Sequence, residues 1–177
     1  YAVREGAKIR DKSNEFNAFC NEVFSLNILT TVASYILLFI VAFFVKPLAE
    51  YRSLLFLLSL TIVFTTFGIE WVNTIFEDFL FVTIRSIGTY IITLFLLFVL
   101  VKNENDYLKY ALLTVVTSGC ICVFNWMHCK KYVYLKFTLK MNVQKHIRPI
   151  LTFFANAVAT SIYVNSDTTM LGYFAGD

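Results

Sequence analysis

Charge is what this sequence has least of. Asp, Glu, Lys and Arg make up 15% of its 177 residues, against about a quarter in a soluble domain. Hydrophobic residues make up 58%, and Phe alone occurs 19 times. The charges are gathered in short segments between long uncharged runs. A soluble all-helical protein shows polar stripes along its helices, whereas these runs are apolar nearly all round, which argues against that class. Enzyme signatures are missing too. The sequence has no P-loop, no nucleotide fingerprint, no HExxH and no GxSxG. Without a nucleotide site the chain is not by itself an ATP-driven pump, so transport would need an ion or substrate gradient, and no cofactor is expected. No recognisable nucleic-acid-binding fold is present, so nucleic acid is not an expected partner.

Cysteine is sparse: Cys20, Cys120, Cys122 and Cys129. On a helix, positions 120 and 122 point about 200° apart, so with His128 and Cys129 they do not share one tetrahedral metal centre. No metal site is expected.

What is present is hydrocarbon-compatible length. A helix needs roughly 20 apolar residues to cross a bilayer core. Five runs qualify or nearly so: 23–45, 53–69, 79–101, 110–127 and 150–171. The expected fold class is all-α, a polytopic transmembrane helix bundle of five spans. The chain opens on Tyr1, its first twenty or so residues are charged rather than signal-like, and it stops shortly after a span. It reads as an internal piece of a longer transporter-like protein.

Basic residues set the orientation. Of fifteen Lys and Arg, eleven fall in alternate segments (1–22, the link after the second span and the loop before the fifth) and four in the others. Basic residues favour the cytoplasmic side, so the N-terminal segment faces the cytoplasm and Asp177 emerges on the far side. The basic loop holds Lys130, Lys131, Lys136, Lys140, Lys145 and Arg148. Each attracts anionic lipid headgroups by about 1 kcal/mol. The cluster either sets topology alone or also meets an anionic lipid-linked substrate. Its alternating residues 133–140 read as a short extended segment on the membrane surface.

Several polar residues sit where apolar ones are expected. Glu70, Asn73, Thr74, Glu77 and Asp78 fall on one helical face, with Trp71, Val72, Ile75, Phe76 and Phe79 on the other. That makes 70–79 an amphipathic interfacial segment, with Trp71 in the aromatic belt. Arg85, near the same polar face as Asp78, either snorkels to a carboxylate or faces a wet cavity. Gly88 and Gly119 permit close helix packing or bending, although neither forms GxxxG. His146 and Pro149 precede the fifth span, where a proline near a helix start is tolerated. That span is the most polar. Asn156, Thr160 and Asp167 share one face and Asn165 lies nearby, pointing to the bundle interior or an aqueous cavity. Asp167, roughly 25 Å along the helix, serves to gate, to pair with a base or to carry a coupling ion.

Four segments, in order, resemble a known family. Tyr1-Ala2-Val3-Arg4-Glu5-Gly6-Ala7-Lys8 resembles the loop between the second and third helices of polysaccharide-export flippases of the Wzx type. Glu70-Trp71 through Glu77-Asp78-Phe79, with Ile84-Arg85-Ser86, resembles their link between helices four and five. Lys145-His146-Ile147-Arg148-Pro149-Ile150-Leu151 resembles the approach to helix seven, and Asn165-Ser166-Asp167-Thr168-Thr169-Met170-Leu171-Gly172 that helix's outer end. The resemblance implies the multidrug/oligosaccharidyl-lipid/polysaccharide exporter superfamily, with two six-helix lobes and alternating access. The five spans would be helices three to seven of about twelve to fourteen. Segment 1–22 would be a cytoplasmic loop, 23–127 four helices of the N-terminal lobe, 128–149 a basic cytoplasmic loop and 150–177 the first helix of the C-terminal lobe.

The implied substrate and partner is an undecaprenyl-diphosphate-linked oligosaccharide, for O-antigen or capsule. It would be flipped across the bacterial cytoplasmic membrane by a transporter rather than an enzyme. Other polysaccharide-assembly membrane proteins and anionic lipids are further expected partners. Arg85 would offset phosphate charge, with Asn156, Thr160, Asn165 and Asp167 lining the cavity. The charge-derived topology agrees with the family's. Three rival readings stand beside it. A cation-coupled drug antiporter of the same superfamily would want a carboxylate deep in the membrane. A polysaccharide polymerase would want a large outer loop. A non-transporting bundle would not want the polar stripe of the fifth span.

Overall fold

A computed structural model describes residues 1–45, 51–103, 106–138 and 143–175. Its helices are α1 (Ala2–Ala7), α2 (Ser13–Phe44), α3 (Arg52–Gly68), α4 (Glu70–Ile75), α5 (Phe79–Leu100), α6 (Tyr107–Cys129) and α7 (Val143–Ala175). No strand occurs among the described residues. Five helices are long and apolar enough to cross a membrane: Ser13–Phe44, Arg52–Ile75, Phe79–Leu100, Tyr107–Cys129 and His146–Ser166. The chain is therefore an all-α, multi-pass membrane protein. Apolar side chains on the outside fit this, with Leu37, Leu80, Phe95 and Phe98 all more than 60% exposed.

The contacts divide the chain into two units, Ala2–Leu139 and Lys140–Asp177 with Tyr1. In the larger unit, α2 starts at Ser13, ten residues before its apolar run. Helix formation needs backbone hydrogen bonds, not apolarity, so hydropathy marks the membrane part of a helix rather than its ends. At 1.5 Å per residue α2 is about 48 Å long, more than a bilayer core needs.

Its first turns serve packing instead. Phe16 meets Phe76 edge-on at 5.3 Å, and Phe24 meets Phe67 and Trp126 at 5.8 and 5.9 Å. Arg10 donates to the Ile75 carbonyl and to Glu77, each at 3.2 Å, tying the α1–α2 link to the end of α4.

The residues after α6 run parallel to α2. Backbone N–H groups of Tyr134, Lys136 and Thr138 donate to Asn17 Oδ1, Asn21 Oδ1 and Ser25 Oγ at 3.2, 2.7 and 2.9 Å. Four helical residues rise about 6 Å and two extended residues about 6.6 Å. That near-match lets every second amide reach every fourth helix residue. The segment expected on the membrane surface is thus seated on α2 over 134–138. Its expected continuation, Leu139 and Lys140, lies outside the described residues.

Deeper in the bundle, hydroxyls join the helices. Thr31 and Thr66 lie 2.5 Å apart between α2 and α3, Thr93 and Thr117 2.8 Å apart between α5 and α6. Tyr35 donates to the Ser59 carbonyl at 2.7 Å. In hydrocarbon such donors have no water to turn to, so partners on neighbouring helices hold the bundle together. A Cβ at Gly119 would lie 3.4 Å from the Phe64 ring of α3, whereas one at Gly88 would meet open space.

Between α3 and α4 the chain turns at Ile69, which has φ 41° and is 1% exposed. A β-branched residue rarely adopts this left-handed conformation. Here burial of the side chain holds it, and the corner separates α3 from α4.

In the smaller unit, α7 begins at Val143, so Pro149 stands inside the helix rather than ahead of it. The mostly polar residues 144–148 extend the helix before the apolar span starts, and Pro149 removes one backbone donor from it and crowds the carbonyl one turn back. Tyr1 Oη and His146 Nδ1 lie 2.6 Å apart.

Candidate functional site

The buried polar groups of the larger unit converge where α4, α5 and α6 meet. Arg85, in the second turn of α5, is 8% exposed, and Asn73 and Asn125 are fully buried. Asn125 Oδ1 accepts from Arg85 Nη1 and, at 3.1 Å, from Asn73 Nδ2. Arg85 Nη2 donates to Ser86 Oγ at 3.0 Å and lies 3.4 Å from the exposed carboxylate of Glu70. A guanidinium only donates, so Arg85 fixes which end of the Asn125 amide faces it. Arg85 Nε, Asn73 Oδ1, Asn125 Nδ2 and Trp71 Nε1 are buried without a hydrogen-bond partner. A seam with unspent hydrogen-bonding capacity inside a membrane bundle is costly and points to function rather than packing alone.

A second cluster adjoins it. Asp78 Oδ2 lies 2.7 Å from His128 Nε2 and accepts from the Tyr132 hydroxyl at 2.7 Å. The His128 ring stacks on Phe81 at 3.7 Å, and Tyr132 stacks on Phe76 at 4.2 Å. The Tyr132 and His128 hydrogen bonds hold the Asp78 carboxyl below the usual carboxylate range. Burial, then the Asp78 carboxylate, pushes the Tyr132 phenol up to about 12. The carboxylate paired with Arg85 is thus Glu70, not Asp78. Glu77, with φ 56°, breaks the helix after α4, so the helical register read from sequence does not carry from α4 into α5.

Both clusters border a groove of about 590 Å³ between α5 and α6. Its polar end is formed by Asp78, Arg85, His128 and Lys131. Leu80, Ile84, Ile92 and Phe124 form its apolar body. These four side chains are 50–74% exposed, so the groove opens outward on an apolar surface. Its volume falls in the range of small-molecule sites.

The other expected site residues lie elsewhere. Glu70 and Glu77 are exposed, and Trp71 is half-buried. Asn73, assigned to the polar face of an interfacial segment, is buried against Asn125. On α7, Asn156, Thr160 and Asn165 are exposed. Thr160 donates to the Asn156 carbonyl and Asn165 to the Ser161 carbonyl, so both bond their own helix. The side chains of Asp167 and Lys145, and all of Lys140 and Asp177, lie outside the described residues. Lys130, Lys131, Lys136 and Arg148 are exposed. Sequence reasoning did not place Asn73, Asn125, His128 or Tyr132 in a site. An asparagine closing an apolar run, at 125, was the one visible signal.

The sequence profile of the polysaccharide biosynthesis protein family matches residues 1–177, the whole chain. The chain belongs to that family. Searches of curated proteins and of solved structures returned no significant match. Membership joins the membrane fold to polysaccharide biosynthesis. Within this family member, the charged end of the α5–α6 groove is the candidate site.

Proposed function

We propose that this chain is part of a flippase that moves a lipid-diphosphate-linked oligosaccharide across the bacterial cytoplasmic membrane by alternating access. A diphosphate and a sugar chain do not cross hydrocarbon unaided. The protein's task is then physical: to supply a polar path while the lipid tail stays in the bilayer. Family membership supports the polysaccharide part of this reading. The observation that carries the transport part is Arg85, a permanent cation held 8% exposed within a membrane bundle, at the wall of a groove. In this reading O-antigen or capsule precursors are the cargo, and Asn156, Thr160, Asn165 and Asp167 contribute polar groups from α7.

The test is complementation by the full-length protein in a strain lacking it. The deletion should lose surface polysaccharide and accumulate lipid-linked oligosaccharide on the cytoplasmic face. Wild type should restore export, and Arg85→Gln at equal membrane abundance should not. A deletion strain that still exports polysaccharide, with no accumulated precursor, would sink the flippase reading.

A further inference from the structure

We propose that the groove between α5 and α6 seats the phosphate end of a polyprenyl carrier lipid together with the first part of its hydrocarbon chain. The groove has the polarity pattern of a single-chain anionic amphiphile. Its charged end holds two cations, Arg85 and Lys131, against one carboxylate, Asp78, with His128 beside them. Asp78 is already engaged by His128 and Tyr132. Lys131 makes no ion pair among the described residues; its ammonium lies 5.1 Å from the Tyr132 ring centroid. Arg85 Nε is buried beside the groove with no hydrogen-bond partner. Arg85 also shares the Glu70 carboxylate at 3.4 Å, so the cation left without an ion pair among the described residues is Lys131, and its ammonium together with the unspent Arg85 Nε–H complements a phosphate.

The rest of the groove is apolar and opens outward along exposed apolar side chains, so a hydrocarbon chain seated there lies against apolar surface along its length. Gly88 sits between the two ends and leaves the floor open, since a Cβ there would meet nothing within 4 Å. About 590 Å³ takes a phosphate and part of one chain. The choice of a polyprenyl phosphate over a bilayer phospholipid rests on the flippase reading. The charge pattern and the groove do not.

The test uses the full-length protein in lipid nanodiscs, with undecaprenyl phosphate as the probe and phosphatidylglycerol and undecaprenol as competitors. Gly88→Leu fills the groove without a backbone clash and replaces glycine by a better helix former, so this variant should fold. It should abolish binding. Lys131→Ala, at an exposed position, should weaken it about fivefold, while undecaprenol should compete poorly. Phosphatidylglycerol competing as well as the probe would overturn the assignment to a carrier lipid. Undecaprenol competing as well would overturn the role of the charged end. Undiminished binding by the Gly88→Leu protein would overturn the groove itself, even where export still depends on Arg85. Conversely, binding lost in Gly88→Leu supports the groove even if the deletion strain still exports polysaccharide.

Discussion

Asn125 and Arg85 meet inside the bundle, the guanidinium donating to the same amide oxygen that accepts from Asn73. One oxygen thus serves two buried donors on two other helices. Removing it leaves both without an acceptor, at a cost of about 1–3 kcal/mol for a neutral group and more for a charged one. Asn125→Ala should therefore lower the thermal midpoint of the detergent-solubilised full-length protein. Asn125→Asp keeps an oxygen and adds a counter-charge to Arg85, so it should stay near wild type. Equal midpoints for Asn125→Ala and wild type would refute the shared-acceptor account.

The Asp78 cluster predicts an acid limb. Hydrogen bonds from Tyr132 and His128 favour the ionised carboxylate, so its folded-state pKa lies below the ordinary 3.8. A depressed carboxyl contributes stability that is fully present above the unfolded value. That contribution fades as pH falls below 3.8 through the folded value. Asp78→Asn should flatten the dependence of unfolding midpoint on pH below about 4, and Tyr132→Phe should flatten it in part. An acid limb unchanged in Asp78→Asn would assign it to other carboxylates.

Apolar run length located the helices because the bilayer demands it. The run 53–69 differs from α3 by one residue at each end, and 79–101 from α5 by one residue. Where the bilayer makes no demand, the sequence was silent. Ser13 opens α2 well before its apolar run, and Val143 opens α7 ahead of Pro149. The site was less legible for a related reason. Arg85 stood out because a charge in an apolar run is rare. Its partners did not, because Asn125 lies 40 residues away and His128 lies 50 residues from Asp78. Face assignment from helical spacing also assumed one continuous helix from Glu70 into the third span, and Glu77 interrupts it.

Gly6 gives α1 its seat. A Cβ at this position would lie 2.4 Å from Ile75 Cδ1 and 3.2 Å from Ile75 Cγ1. Ile75 is 1% exposed and packed on all sides, so its methyl has nowhere easy to go. Gly6→Ala should destabilise the fold by about 1–3 kcal/mol as overpacking. Ile75→Val deletes the clashing methyl, so Gly6→Ala with Ile75→Val should recover part of that loss relative to the sum of the two single changes. Additive losses, measured as unfolding midpoints, would mean that α1 docks by some other contact.

The segment along α2 predicts a local effect on dynamics with little global cost. Asn21 Oδ1 accepts the Lys136 N–H at 2.7 Å, and no helix or sheet ladder backs up that bond. Losing one such bond costs about 1 kcal/mol, which corresponds to roughly fivefold more opening. Asn21→Ala should therefore speed hydrogen exchange at the Lys136 amide about fivefold. The Thr93–Thr117 region of α5 and α6 should stay as protected as before. Asn21→Asp retains an acceptor oxygen and should keep the protection. Asn17→Ala and Ser25→Ala should act most at Tyr134 and Thr138, one turn of α2 to either side, because each α2 acceptor serves one alternate amide. Exchange rising uniformly over 134–138 in all three variants would mean that the segment detaches as a unit rather than bond by bond.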